Sequence, residues 1–346
     1  MALLNDIFSA LPSPDTSITT IDSHTEGEAT RLIVDGVGPV PGRTMTDKLA
    51  YFKAHYDHVR CLITKEPRGS RSILAAMVTE GVSPGTAFGL IYMDAKRYPY
   101  LCGHATMGAV TTLSKTGFLN LGEGKNQVLV DTPSGVMDAC AEVAGGEVLS
   151  VAVNMVPAFV HDTDREITVP GYGTISVDLV CTGGYFAMVD SDLLGIPPVI
   201  ENRKELVDLG MKIIDAANDQ LEVKHPLRPE VNTIDVTEFH TSSSGKDGHW
   251  GRGVVVYGES HMDRSPCGTG TASKLALLRH RGTLEMHQPY RNLSPLGTAF
   301  DAALVEKTDI GGKTAYVARI KGRAWITGLH HFSLDDSDPF TQGYIV

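Results

Sequence analysis

The feature that most constrains this chain is a repeat: two cysteine-centred segments, 165 residues apart, share one layout. In the later copy, Asp263-Arg264-Ser265-Pro266-Cys267-Gly268-Thr269-Gly270-Thr271 sets a cysteine after a Pro turn and before small residues. Residues 272–281 are good helix formers with basic residues in the last turn and Gly282 as a stop, so Cys267 is expected at a helix N-terminus. In the earlier copy, Cys102-Gly103-His104-Ala105-Thr106 leads into a predicted helix over 107–115 that Gly117 stops. Aligning the cysteines matches Gly103 with Gly268, Thr106 with Thr271, Leu113 with Leu278 and Gly117 with Gly282. Each copy follows an apolar strand, Ala87-Phe88-Gly89-Leu90-Ile91-Tyr92-Met93 in one and Gly253-Val254-Val255-Val256-Tyr257 in the other, and then a loop containing Pro. Such a chain is expected to fold as two halves of one strand–loop–Cys–helix design.

At 346 residues the chain exceeds the usual single core, and about two domains are expected. No linker rich in Pro, Gly or Ser separates them. The boundary is drawn near 160, giving 1–160 with Cys102 and 161–326 with Cys267, while residues 327–346 return to the first half. A composition 42% apolar and 21% charged, with 36 Gly and 18 Pro, fits a turn-rich α/β or α+β protein. The formal charge of −11, with no stripe of Lys or Arg, argues against nucleic acid or an anionic membrane as partner. No apolar run reaches bilayer length and no basic-then-apolar signal opens the sequence, so the expected location is cytoplasmic. The five cysteines are widely spaced with no C-x-x-C, against a disulfide framework or a structural zinc site. Cys61, Cys140 and Cys181 lie in apolar or strand-like surroundings and read as buried, inert thiols.

Residues 1–17 carry little pattern and read as a loose lead-in. The segment 21–34 reads as a strand, a polar turn containing Gly27, and a second strand, with His24 as a turn residue packing on its neighbours. Helical spacing covers 46–58, followed by an expected strand over 58–64 and a charged turn at Glu66-Pro67-Arg68-Gly69. Strands are expected at 74–80, 87–94, 299–305, 314–320 and 323–328, β-rich segments with turn signals every ten or so residues at 127–136, 147–159 and 166–180, a helix at 202–219, and a polar loop at 241–249.

Two thiols at matching helix N-termini can face one another across a cleft. One thiolate then removes a proton from a substrate carbon while the other thiol supplies one to the opposite face, which inverts a stereocentre with no cofactor. Gly103 and Gly268 leave backbone N–H groups free to hold a carboxylate. His104 and Asp263 are placed to receive an amine nitrogen.

The two cysteine motifs closely resemble those of the proline racemase family. Ile21-Asp22-Ser23-His24-Thr25, Gly27-Glu28, Thr30-Arg31, Glu66-Pro67-Arg68-Gly69, Val169-Pro170-Gly171-Tyr172-Gly173-Thr174 and Ile326-Thr327-Gly328 are similar too, so the resemblance covers nearly the whole chain. It implies a diaminopimelate epimerase-like α/β (α+β) fold. This has two pseudo-symmetric domains, each a β-sheet wrapped around a central helix, with the active site in the interdomain cleft. It also implies a homodimer, a small-molecule substrate (proline or a hydroxyproline), no metal and no pyridoxal phosphate. By position, Cys102 and Cys267 become the acid/base pair, Gly103, Gly268 and Thr269 bind the carboxylate, His104 and Asp263 contact the ring nitrogen, and Thr106 lines the same pocket. In the family, trans-3-hydroxyproline dehydratases typically carry Ser or Thr in place of one cysteine, so two cysteines put racemisation or epimerisation ahead of dehydration. A non-catalytic amino-acid binding protein or thiol redox sensor is the alternative from another class. Ser70-Arg71-Ser72, Leu101 and the segment 291–298 depart from the family pattern and bear on specificity.

Overall fold

The computed structural model describes residues 17–245, 248–258, 260–335 and 337–346. The expected lead-in lies outside these, apart from Ser17, which opens the first strand. Four helices organise the fold: α1 (Met45–Thr64), α2 (Gly103–Lys115), α3 (Arg203–Gln220) and α4 (Gly268–His280).

In α2 every residue from Gly103 to Leu113 is buried, and in α4 so are Gly268 and Gly270 through Leu277. A helix buried all round must be enclosed by other elements. α2 packs on strands Ser17–Thr25, Glu28–Asp35, Leu74–Thr79, Gly135–Ala144, Glu147–Asn154 and Ala324–Ser333. α4 packs on Ala158–Val169, Gly173–Thr182, Gly184–Asp190, Gly248–Tyr257, Ala299–Ile310 and Lys313–Gly322.

The sheet around α4 is barrel-like. Its hydrogen-bonded neighbours run Ala158–Val169, Gly173–Thr182, Gly184–Asp190, Ile234–His240, Gly248–Tyr257, Tyr290–Leu293, Ala299–Ile310 and Lys313–Gly322. The last of these pairs back onto the first. The strands around α2 follow the same order of pairings, from Ser17–Thr25 through Glu28–Asp35, Leu74–Thr79, Phe88–Met93, Gly124–Thr132 and Gly135–Ala144 to Glu147–Asn154. Parallel pairing falls at matching places in both series, at Glu28–Asp35 with Leu74–Thr79 and at Gly184–Asp190 with Ile234–His240. Glu147–Asn154 pairs with Lys313–Gly322 and joins the two series. Ala324–Ser333 returns beside Ser17–Thr25, and Tyr344 bridges to Glu66.

Three expectations need correction. The segment 58–64 is the second half of α1, not a strand. A short apolar run reads equally as a buried strand or a buried helix, and here residues 59–64 are all buried as helix. A capping box starts α1, Thr44 Oγ1 accepting from Asp47 N at 3.0 Å and Asp47 Oδ2 from Thr44 N at 3.0 Å, and the only break is Tyr56 at φ −125°, ψ 16°. The loop expected at 241–249 instead holds Ser243–Gly245 paired with the start of Gly248–Tyr257. Both cysteine helices also begin earlier than expected, at the glycine directly after each cysteine. The turn near Gly27 is a two-residue hairpin, Glu26-Gly27, with both residues at positive φ (48° and 106°). No described helix is long and apolar enough to cross a membrane.

Because α4 is enclosed on all sides, its core contacts decide stability. Leu275→Ala, at a fully buried position, is expected to cost about 2–5 kcal/mol in denaturant unfolding.

Candidate active site

Each cysteine is the N-cap of its helix, Cys102 for α2 and Cys267 for α4. The repeat is kept in detail: Thr106 Oγ1 donates to the Cys102 carbonyl at 2.8 Å and Thr271 Oγ1 to the Cys267 carbonyl at 2.6 Å. Thr106 also bonds Tyr92 Oη at 2.7 Å and is fully buried; it does not line the cavity described below but braces the start of α2. The backbones differ, since Cys102 is extended whereas Cys267 sits at φ 58°, ψ 122°, a region L-residues adopt only under restraint. The restraint is visible. Ser265 Oγ accepts from Cys267 N at 3.1 Å and donates to Asp263 Oδ1 at 2.8 Å, which also accepts from Ser265 N at 2.8 Å.

The two helix N-termini meet. A Cβ on Gly268 would lie 3.8 Å from Gly103 Cα and 3.3 Å from Met155 Cε, and a Cβ on Gly103 would lie 3.2 Å from Met155 Sδ. Both positions are therefore crowded by the same methionine, and glycine lets the two ends approach. The first N–H groups of an α-helix have no intrahelical acceptor, so two sets of donors and two positive dipole ends converge here. They open onto a cavity of about 120 Å³ lined by Cys102, Gly103, His104, Asp263, Cys267, Gly268 and Thr269. Seven of the eight site residues expected from sequence thus share one cavity. Its apolar wall is Leu74, Leu101, Phe186, Val236, Val255 and Tyr257.

The charges around the two thiols differ. His104 Nδ1 lies 3.2 Å from Cys102 Sγ. Burial pulls His104 down, but the Cys102 sulfur, then Asp263 and Glu28, outweigh it and push it up to about 9. Cys267 Sγ lies 3.5 Å from Thr269 Oγ1 and accepts from Gly270 N at 3.4 Å. Burial, reinforced by Asp263, pushes this thiol well above the ordinary range, and those two hydrogen bonds only partly offset it. Asp263 is itself raised, by burial and by the nearby Glu28 carboxylate, with His104 acting the other way.

Glu28, Tyr257, His261 and Arg264 are supporting residues that sequence reasoning did not assign to the site. Glu28 is buried in the strand Glu28–Asp35 and ties down the loop before Cys267. It accepts from Arg264 N at 2.8 Å, Arg264 Nε at 2.9 Å and Arg264 Nη2 at 3.2 Å, and pairs with His261 Nε2 at 3.1 Å. Burial works to raise its carboxyl, but His261 and Arg264 prevail and hold it well below the usual range. Tyr257 had a visible signal, because Tyr92 and Tyr257 each stand ten residues before their cysteine. Phe186 and Val236 had none, as they reach the cavity from distant strands. Of the departures from the family pattern, Leu101 lines the cavity, while Arg71 and Ser72 line a smaller one of about 40 Å³ that shares Leu74, Asp94, Arg97 and Tyr257 with it. In the segment 291–298, Thr298 Oγ1 donates to the Glu26 carbonyl at 2.6 Å, away from both cavities. His24 is a packing residue, stacked on Trp325 with ring centroids 5.0 Å apart and accepting from Gly27 N at 3.3 Å. Of the three cysteines outside the site, Cys61 and Cys181 are buried, Cys181 pushed up to about 12 by that burial, whereas Cys140 is only half-buried.

Two buried helix starts, each capped by a cysteine, open to one cavity, and the chain's relatives place it in the isomerase class of racemases and epimerases. The proline racemase family model matches residues 20–345, and the chain belongs to that family. It is 36% identical over 330 residues to a proline racemase of Clostridioides difficile, covering 95% of this chain and 98% of that one. It is also 36% identical over 326 residues to a 4-hydroxyproline 2-epimerase of Streptosporangium roseum, covering 94% and 97%. Among solved structures, a hydroxyproline epimerase from Agrobacterium vitis with bound trans-4-hydroxy-L-proline superposes with a TM-score of 0.85 at 28% identity, covering 95% of this chain and 96% of that one.

The Glu28 ion pairs fix the loop that carries Asp263 and Cys267, and breaking a buried pair is expensive. Glu28→Gln is expected to lower stability at neutral pH by about 3 kcal/mol. Because the carboxyl is depressed below its ordinary value of 4.5, its contribution is complete above that pH and is lost as pH falls through the folded-state value. Denaturant titrations should therefore show the gap between wild type and variant closing below about pH 4.5.

Proposed function

We propose that the cavity inverts the α-carbon of proline or a hydroxyproline by two-base proton transfer, with Cys102 and Cys267 acting on opposite faces of the ring. The observation that carries this reading is that both helix-capping cysteines line one cavity into which two helix N-termini point. The substrate carboxylate is held by backbone N–H groups at Gly103, Gly268 and Thr269. Asp263 supplies the counter-charge for the ring ammonium, with His104 beside it and against the Cys102 sulfur. The ring lies on the apolar wall formed by Leu101, Phe186 and Val236.

One thiolate takes the α-proton, and the electron pair left on carbon is delocalised into the carboxylate, where the helix ends stabilise the growing charge. The opposite thiol then returns a proton to the other face, so each turnover leaves the proton on the other sulfur. Cys267, whose thiol burial pushes up, holds its proton in the resting enzyme.

The same reading divides the chain at about residue 160, with 327–346 returning to the first part, in a diaminopimelate epimerase-like arrangement. The separate sets of strands packed on α2 and α4 support it. A cytoplasmic homodimer completes the proposal, as the family resemblance implies.

Chiral chromatography of L-proline and trans-4-hydroxy-L-proline incubated with the enzyme tests the reaction. Inversion of either is expected, and Cys102→Ser and Cys267→Ser should each lower kcat/KM about 10²-fold or more. Full activity in either variant contradicts two-base transfer. A cyclic imine released from trans-3-hydroxy-L-proline, with no inversion, identifies a dehydratase. Binding of pyrrole-2-carboxylate without turnover of any substrate identifies a binding protein.

A further inference from the structure

Beneath Cys267 lies a buried carboxyl that the chemistry above leaves unused. Glu238, in the strand Ile234–His240, is fully buried, and neither of its oxygens has a hydrogen-bond partner among the described residues. It is wedged between α4 and the strand Gly248–Tyr257: a Cβ on Gly270 would lie 2.6 Å from Oε2, and one on Gly253 2.8 Å from Oε1. Gly270, the residue against which the carboxyl packs, is also the one whose N–H donates to Cys267 Sγ.

Among the described residues, no carboxyl holds the matching place behind Cys102. Glu238 is in register with Val255, twelve residues before Cys267, and Val78 is in register with Leu90, twelve residues before Cys102. Ala105 and Ala109 occupy the places of Gly270 and Lys274. An apolar residue therefore suffices for packing at this place in the first half. Retaining an unpartnered carboxyl in the second costs stability, and packing does not account for it.

We propose that Glu238 is a positioning residue that acts through Gly270 and its own charge to hold the proton on Cys267, making the two thiols unequal. The groups facing it are Lys274 from α4, Asp263 from the loop before α4, Tyr290 from the strand Tyr290–Leu293, and His240 two residues along its own strand. Lys274 Nζ is held by the Arg252 carbonyl and Asn292 Oδ1, both at 2.8 Å. His240 stays neutral, pushed down to about 3 by burial and then by Lys274. Burial pushes Glu238 up to about 7, with Lys274 opposing and Asp263 reinforcing the shift. Above that pH its carboxylate repels a Cys267 thiolate. Below it the neutral acid does not.

The inference rests on the two-thiol reading of the site, but its test needs no turnover, so a failure to invert proline leaves it readable. The rate of iodoacetamide alkylation at Cys267 and at Cys102 is followed against pH by peptide mass spectrometry. In Glu238→Gln the Cys267 profile is expected to move to lower pH by about one unit, the size of effect typical of a nearby like charge, while the Cys102 profile stays in place. Glu238→Asp, which draws the charge back by one methylene, should give a smaller shift in the same direction and serves if the Gln variant does not fold. An unmoved Cys267 profile, a shift to higher pH, or an equal shift at both thiols overturns the proposal.

Discussion

Two helix N-termini meet head to head at Gly103 and Gly268, with Met155 packed against both. Like dipole ends at this separation repel, and they persist only because each helix is locked inside its own set of strands. The repulsion is relieved by an anion placed between the ends, so the arrangement favours a bound anion before any side chain is considered. It also dictates where side chains able to act beside such an anion must sit. The N-cap position of each helix is the first to project into the shared cavity, and cysteine occupies both.

The two halves are copies in backbone pairing but not in electrostatics. Cys102 has His104 at 3.2 Å, whereas Cys267 has Thr269, Asp263 and the buried Glu238 around it. Inversion needs one thiol to hold a proton while the other has lost one, and two identical environments would not specify which. The Glu28 ion pairs fix the loop that carries the Cys267 environment and tie it to a strand of the first half. The placement of the Cys267 thiol thus depends on contacts made across more than 200 residues of sequence.

Much of the site was legible because its logic is local. A cysteine, a glycine and a threonine four residues beyond the cysteine suffice to write a helix start, and the second copy made the design readable as a pair. The hairpin at Glu26-Gly27 was legible for the same reason. What escaped depends on pairing between distant strands. Glu238 meets Gly270 and Gly253 only after three separate segments come together, and Phe186 and Val236 reach the cavity the same way. The run at 58–64 suits a buried strand as well as a buried helix, and burial against the sheet decides for helix. Resemblance alone puts Thr106 in the pocket, whereas its hydroxyl is committed to the helix start.

In two-base inversion the proton removed from one face is not the proton returned to the other. Inversion of protiated L-substrate in deuterium oxide, sampled early in the reaction by NMR, tests this directly. Two-base transfer gives α-deuterium in the product while the unreacted L-substrate remains protiated. Protium carried over into the product, as a single base returning the proton it removed gives, or deuterium entering recovered substrate as fast as product, as a single base that exchanges with solvent gives, would contradict it.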